Sequence, residues 1–250
     1  MTSSTTAARD TSFDAVRRRL AAALRDTGPV SAARPLEIQP RGTLDAPAIK
    51  AADVIEGKAM RAHTVAGDPT PRFDAFLDGS QLTLVARWHA VIPIVFGTVS
   101  AAIRARRERR LTTWNAPQVR RALYAPLAQL TPDIARALSG LGVDVVDTLE
   151  KREPQSGHPF ALQEIAYQAV LADRERLESE LAERWIERES GTLYVDGGIS
   201  GSKPVSQAAN VVGVIKSHQT LYAEGDALAV VSSLATGQRS SVVRIDSARR

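Results

Sequence analysis

Apolar residues recur at Phe13, Val16, Leu20 and Leu24 within FDAVRRRLAAAL, and this three-to-four-residue spacing predicts an amphipathic helix over Phe13–Leu24. The polar dozen residues before it read as a disordered tail. A Pro- and Gly-punctuated stretch from Gly28 to Ala46 reads as an extended connector. From Phe73 the period shortens towards two. FDAFL leads into Asp78-Gly79, and QLTLVARWHAVIPIVFGTV alternates well enough for one or two further strands. Residues from Ala102 to Leu149 read as helical, divided by Pro117, Pro126 and Pro132, and Pro159 opens the longest helical pattern, reaching Glu189. TLYVDGG, a Gly/Ser loop, the apolar run NVVGVIK and a last strand around SSVVRI follow. Strands, long helices and strands in this order predict a mixed α/β sheet flanked by helices.

A chain of 250 residues can bury one substantial core. It holds no cysteine, which excludes a disulfide scaffold and any thiolate metal site, so a metal would need oxygen or histidine ligands. No apolar run approaches the roughly 20 residues that cross a bilayer, and a cytoplasmic protein without membrane contact is expected. The 32 basic and 28 acidic residues leave a formal charge of only +4, yet the arginines are clustered. Arg104, Arg106, Arg107, Arg109 and Arg110 crowd one stretch, with Arg120 and Arg121 soon after. Such a cluster suits phosphate backbones; the alternative is a solvated, arginine-rich helix face.

Two phrases, LDGS at Leu77–Ser80 and VDGG at Val195–Gly198, end short apolar runs with Asp-Gly. Asp-Gly is first a hairpin-turn signal, and at Asp78 a turn is compatible with the strand that follows. At Asp196 the glycine-rich loop offers no immediate return strand. Short apolar runs suit strands buried on both faces, which places each carboxylate at a strand's end. Two such strands side by side would bring two carboxylates together, an arrangement that favours a cation between them. Oxygen-only ligation points to Mg²⁺ or Mn²⁺ and to phosphodiester hydrolysis.

The long helix offers a third acid. At 100° per residue Glu178 projects within about 20° of Leu171 and Trp185, whereas Glu180, Glu183 and Glu187 fall roughly 140° to 180° away. Glu178 therefore lies on the apolar side, either as a ligand or as a boundary residue paired with Arg174 at i,i−4. Glu164 points within about 40° of the same side and is the second choice.

The ordered set LDGSQ, RERLE, YVDGG and VVGVIKSH resembles the NurA family of DNA repair nucleases over roughly residues 73–245. That resemblance implies an RNase H-like fold over 73–250, a tail, helix and connector over 1–72, and a helical, Arg-rich insertion at about 102–158. It implies a Mn²⁺- or Mg²⁺-dependent nuclease acting on DNA ends in double-strand break repair, a HerA-type hexameric ATPase as partner, and a homodimer. Position by position, Asp78, Glu178 and Asp196 match the metal ligands and Lys216 the strand-end lysine; His218 is a further candidate to line the site. The family pattern continues past the region matched by SVVRI, where Asp246 is the only late acid here. A noncatalytic subunit that binds DNA or the ATPase is therefore the alternative, and an RNase H-like protein acting on RNA or hybrids is a third reading.

Overall fold

A computed structural model describes residues 10–25, 48–50, 52–67, 73–150, 157–216 and 220–245. In chain order the elements are α1 (Phe13–Ala23), β1 (Ala48–Ile49), β2 (Asp53–Val54), β3 (Ala62–Thr64), β4 (Ala75–His89), β5 (Ile92–Arg107), β6 (Arg110–Ala125), α2 (Pro132–Ser139) and β7 (Asp144–Asp147). Then come α3 (Pro159–Arg188), β8 (Leu193–Asp196), α4 (Lys203–Gln207), β9 (Val211–Val214), β10 (Thr220–Leu221), α5 (Gly225–Ser232), β11 (Gln238–Ser240) and β12 (Val243–Arg244). None of the helices among the described residues is long and apolar enough to cross a membrane.

Six strands form one mixed sheet in the order β7-β6-β5-β4-β8-β9. β4, β5 and β6 are an antiparallel meander, while β7 joins one edge and β8 and β9 the other in parallel. Residue alternation sorts the side chains between two faces. On one face α3 packs Leu181, Ala182 and Trp185 against Ala75, Leu77, Leu193 and Val195, and packs Ala166 and Val170 against Val95, Val99 and Tyr124. On the other face α1 and α2 set Val16, Leu20, Ile134 and Leu138 against Ile94, Phe96 and Leu123. Among the described residues they cover only part of it. The remainder carries Leu82, which is 51% exposed, and Val119, 54% exposed, beside a Ser80–Ser100 hydroxyl pair at 2.8 Å.

Residues 102–125 are not the expected helical insertion. They complete β5 and form β6, at the centre of the sheet. Alanine and arginine are strong helix formers, but Ala101, Ile103 and Ala105 are buried while Arg104 and Arg106 alternate with them, a period of two. The turn between the strands uses Glu108 and Arg109 at φ 49° and 63°, the left-handed pair that a two-residue hairpin requires. Neither residue type announces such a turn. Pro117 sits beside a register shift between Ala101 and Ile103, where a strand tolerates proline.

The stretch Gly28–Ala46 lies outside the described residues, and the strands that follow it pair with the chain's later residues. β1 runs parallel to β10, β2 pairs with β12, and β3 pairs with β11. A division at residue 72 would cut through these pairings. Glu56 fastens them: it accepts two hydrogen bonds from the Arg239 guanidinium, at 2.6 and 2.8 Å, and a third from the Val242 N–H at 3.0 Å. Buried Ser241 adds to the clasp, its hydroxyl lying 3.0 Å from His63 Nε2 and accepting from the Arg61 N–H.

Two predictions follow from packing and charge. Gly97 faces Tyr124 and Val170, and a Cβ there would lie 2.6 Å from Tyr124 Cε2 and 2.9 Å from Val170 Cγ2. Gly97→Ala should cost about 1–3 kcal/mol by overpacking, read from urea unfolding; unchanged stability would show that α3 shifts freely on the sheet. Bonding to Arg239 and to the Val242 N–H holds Glu56 down from its ordinary 4.5 to about 2. A depressed carboxyl pKa stabilises above the unfolded value and loses that contribution as pH falls through the folded one. Amide protection of β11 and β12 should thus decline as pH falls from about 4.5 towards 2 in wild type, and Glu56→Gln should remove that pH dependence.

Candidate active site

β4 passes through Asp78 and Gly79 without turning, so Asp78 is the fourth residue of a 15-residue strand and not a strand end. What ends there is the neighbour. β8 pairs with β4 through Ala75↔Leu193, Phe76↔Tyr194 and Leu77↔Val195, and stops at Asp196. The next step of that parallel register sets Asp78 beside Asp196, with strands about 4.8 Å apart. Gly197, at φ 125°, then turns the chain away and gives its N–H to the Val214 carbonyl at 3.0 Å. β4 continues paired with β5 alone, which leaves a notch in the sheet.

Ala75, Leu77, Leu193 and Val195 lie under α3, so Phe76, Asp78, Tyr194 and Asp196 project from the opposite face. Glu178 approaches from the α3 side. Its carboxylate rests on Gly79, where a Cβ would lie 2.7 Å from Glu178 Cδ and would meet Oε1 still more closely. Only a residue without a side chain lets the acid descend onto the strand. Burial raises the Glu178 pKa; Arg174, whose Nε is 3.6 Å from Oε1, opposes the rise, while Asp78, Glu175 and Asp196 add to it. The pairing with Arg174 and the proximity to the two aspartates thus coexist.

Lys216 follows β9 and donates to Asp196 Oδ2 at 2.6 Å, a bond that raises the lysine pKa. The structure therefore sets Asp78, Asp196 and Lys216 at the edge where β8 ends, with Glu178 on the α3 side of the same edge, near enough for both aspartates to act on its charge. Glu164 stands apart: 14 residues earlier in α3, it is about 21 Å along the axis and accepts from Gln168. Arg107, Arg109 and Arg110 occupy the hairpin tip, about 17 Å along β5 from the Ala102 that pairs with Asp78. Arg104 and Arg106 lie between, on the open face. Arg120 is on the covered face, bonded to Asp173 at 2.6 Å, and Arg121 reaches Thr11. His218 and Asp246 lie outside the described residues.

Carboxylate oxygens suit a hard divalent cation in kind; in place, Asp78 and Asp196 share the open face while Glu178 stands on the α3 side of the same edge. Their rotamers are engaged elsewhere, Asp196 by Lys216 and Glu178 by Arg174. Among the described residues no group of three His, Cys, Asp or Glu is arranged to hold a metal ion.

The sequence carries one further feature of the site. The two phrases extend back by two residues, as Phe76-Leu77-Asp78-Gly79 and Tyr194-Val195-Asp196-Gly197. The parallel register sets aromatic beside aromatic as well as acid beside acid, with the Phe76 and Tyr194 rings 5.7 Å apart.

Since burial and the neighbouring acids raise the Glu178 pKa, the folded state binds its proton more readily than the unfolded chain. That contribution lowers stability as pH rises above the unfolded value. Glu178→Gln should therefore raise the melting temperature at pH 7 by a few degrees and leave it unchanged near pH 3. A lower melting temperature at pH 7 would show that pairing with Arg174 outweighs burial and repulsion.

The chain matches no protein-family model and no curated protein, so the functional reading rests on the chemistry of these side chains.

Proposed function

We propose that the protein is a metal-dependent DNA nuclease of the NurA type, hydrolysing phosphodiester bonds at DNA ends. One observation carries the reading: the register that sets Asp78 beside Asp196 while Glu178 settles over Gly79 from the helix. The order of elements supports it. An antiparallel meander, a long helix, then two parallel strands added beside the first is the arrangement expected of an RNase H-like sheet, with acids on its first strand, its helix and its fourth strand.

In this reading Asp78, Glu178 and Asp196 would hold Mn²⁺ or Mg²⁺, which would supply an activated water and charge neutralisation at the departing oxygen. Lys216 releases Asp196 and takes a phosphate oxygen as a point charge, while Arg174 opposes the rise that burial imposes on the Glu178 pKa. The closed lysine–aspartate pair favours one alternative, a noncatalytic NurA-like subunit in which Lys216 permanently fills the cation's place. A HerA-type ATPase and a homodimer belong to the proposal through the family resemblance.

Cleavage of end-labelled DNA in Mn²⁺, Mg²⁺ or EDTA separates the two. The nuclease requires metal-dependent cutting that Asp78→Asn reduces by two or more orders of magnitude, the scale of a lost transition-state contact. A folded wild type that cuts nothing in either metal would leave the noncatalytic subunit.

A further inference from the structure

We propose that the part of the sheet face left open by the described residues is a track for single-stranded nucleic acid, with bases stacked against Phe76 and Tyr194 and the backbone held by arginines of the β5–β6 hairpin. This deepens the nuclease reading and rests on it for the site that the track feeds.

Three observations meet on this face. Phe73, Phe76 and Tyr194 form a partly exposed aromatic group, with ring centroids 5.2 Å apart for Phe73–Tyr194 and 6.3 Å for Phe73–Phe76. Phe76 and Tyr194 each precede a site aspartate by two residues, so rings and carboxylates share a face one pleat apart, about 7 Å. The second observation is charge. Arg104 pairs with Phe76 across the sheet, and its guanidinium donates to Thr113 Oγ1 at 3.1 Å and to the Leu111 carbonyl at 2.7 Å. These bonds lay it along the ribbon surface and use only part of its five N–H donors. Arg106 is the next residue on that face, and exposed Arg107, Arg109 and Arg110 surround the tip. From Thr98 to Thr113 the chain holds five arginines against one acid, Glu108, so the ribbon complements a polyanion.

The third is the apolar surface between. Leu111 at 50% exposure and Val212 at 40% join Leu82 and Val119 on this face. A duplex presents phosphates outwards and keeps its base faces stacked inside, so it has nothing to offer exposed rings and aliphatic groups. Unpaired bases do, and sheet-borne aromatics flanked by arginines are a sequence-tolerant way to hold them. The track then runs from the hairpin tip, past Arg104 and the aromatic pair, to Asp78 and Asp196.

The test is binding of a fluorescein-labelled oligothymidylate in EDTA, by anisotropy across a salt series, where cleavage plays no part. The full chain should bind it about tenfold more tightly than an abasic strand of equal length, and more tightly than a duplex. The triple variant Arg107→Ala, Arg109→Ala, Arg110→Ala changes only exposed side chains, and it should flatten the slope of log affinity against log salt by about 2. Equal affinity for abasic and normal strands, or a slope untouched by the triple variant, overturns the track. So does Val119→Glu converting a dimer to a monomer with oligonucleotide affinity unchanged, because a second copy would then cover the face. If the folded wild type cuts no DNA in Mn²⁺ or Mg²⁺ while single-strand selectivity persists, the nuclease reading fails and the track stands.

Discussion

Three residue pairs between parallel strands govern the rest of this molecule. Ala75↔Leu193, Phe76↔Tyr194 and Leu77↔Val195 align β8 with β4, and a slip of one residue would turn Asp196 into the core and Val195 into solvent. The register is therefore fixed by burial. Ala75 and Leu193 are fully buried, and Leu77 and Val195 nearly so, beneath Leu181 and Trp185 of α3. The hydrophobic face chooses the alignment, and the aspartates are carried into proximity by residues that have no chemistry of their own.

Such proximity opposes folding, since two like charges sit side by side at the sheet edge and a third carboxylate is half-buried on the α3 side of it. The protein offsets this with cations of its own, Lys216 on Asp196 and Arg174 on Glu178. The height of Glu178 above the sheet is set further along α3. Trp185 donates to the Gly191 carbonyl at 3.0 Å and stacks edge-on with Trp114 at 5.3 Å, while Trp114 donates to Glu189 at 2.7 Å. The helix end is thereby tied to β6 and to the loop entering β8. Apolar packing and these two indole bonds hold the acids in place, and the ammonium and guanidinium are the groups that must yield to a metal.

Much of this was legible in sequence. The spacing of Phe13, Val16 and Leu20 gave a helix that the structure contains, and the long pattern after Pro159 became α3. The direction of Glu178 followed from helical geometry alone, because α3 is regular from end to end. The arginine segment was misread for a physical reason: local propensity favoured a helix, and a period-two burial pattern only five residues long, at 101–105, was too short to outweigh it. Asp78 was read as a strand end because its phrase matches that of Asp196. Identical local text has different contexts, since β4 is paired on both sides as far as Leu77 and β8 stops where its glycine turns. The pairing of β1, β2 and β3 with β10, β12 and β11 had no local signal, because strands of two or three residues carry no periodicity.

Binding of Mn²⁺ itself, followed by electron paramagnetic resonance on the metal-free chain, tests the acid notch most directly. If Asp78, Glu178 and Asp196 form a cation site, wild type quenches the signal of free Mn²⁺ saturably and Asp196→Asn loses most of that uptake while remaining folded. Equal uptake by wild type and Asp196→Asn would contradict the site and leave Lys216 as the permanent partner of Asp196.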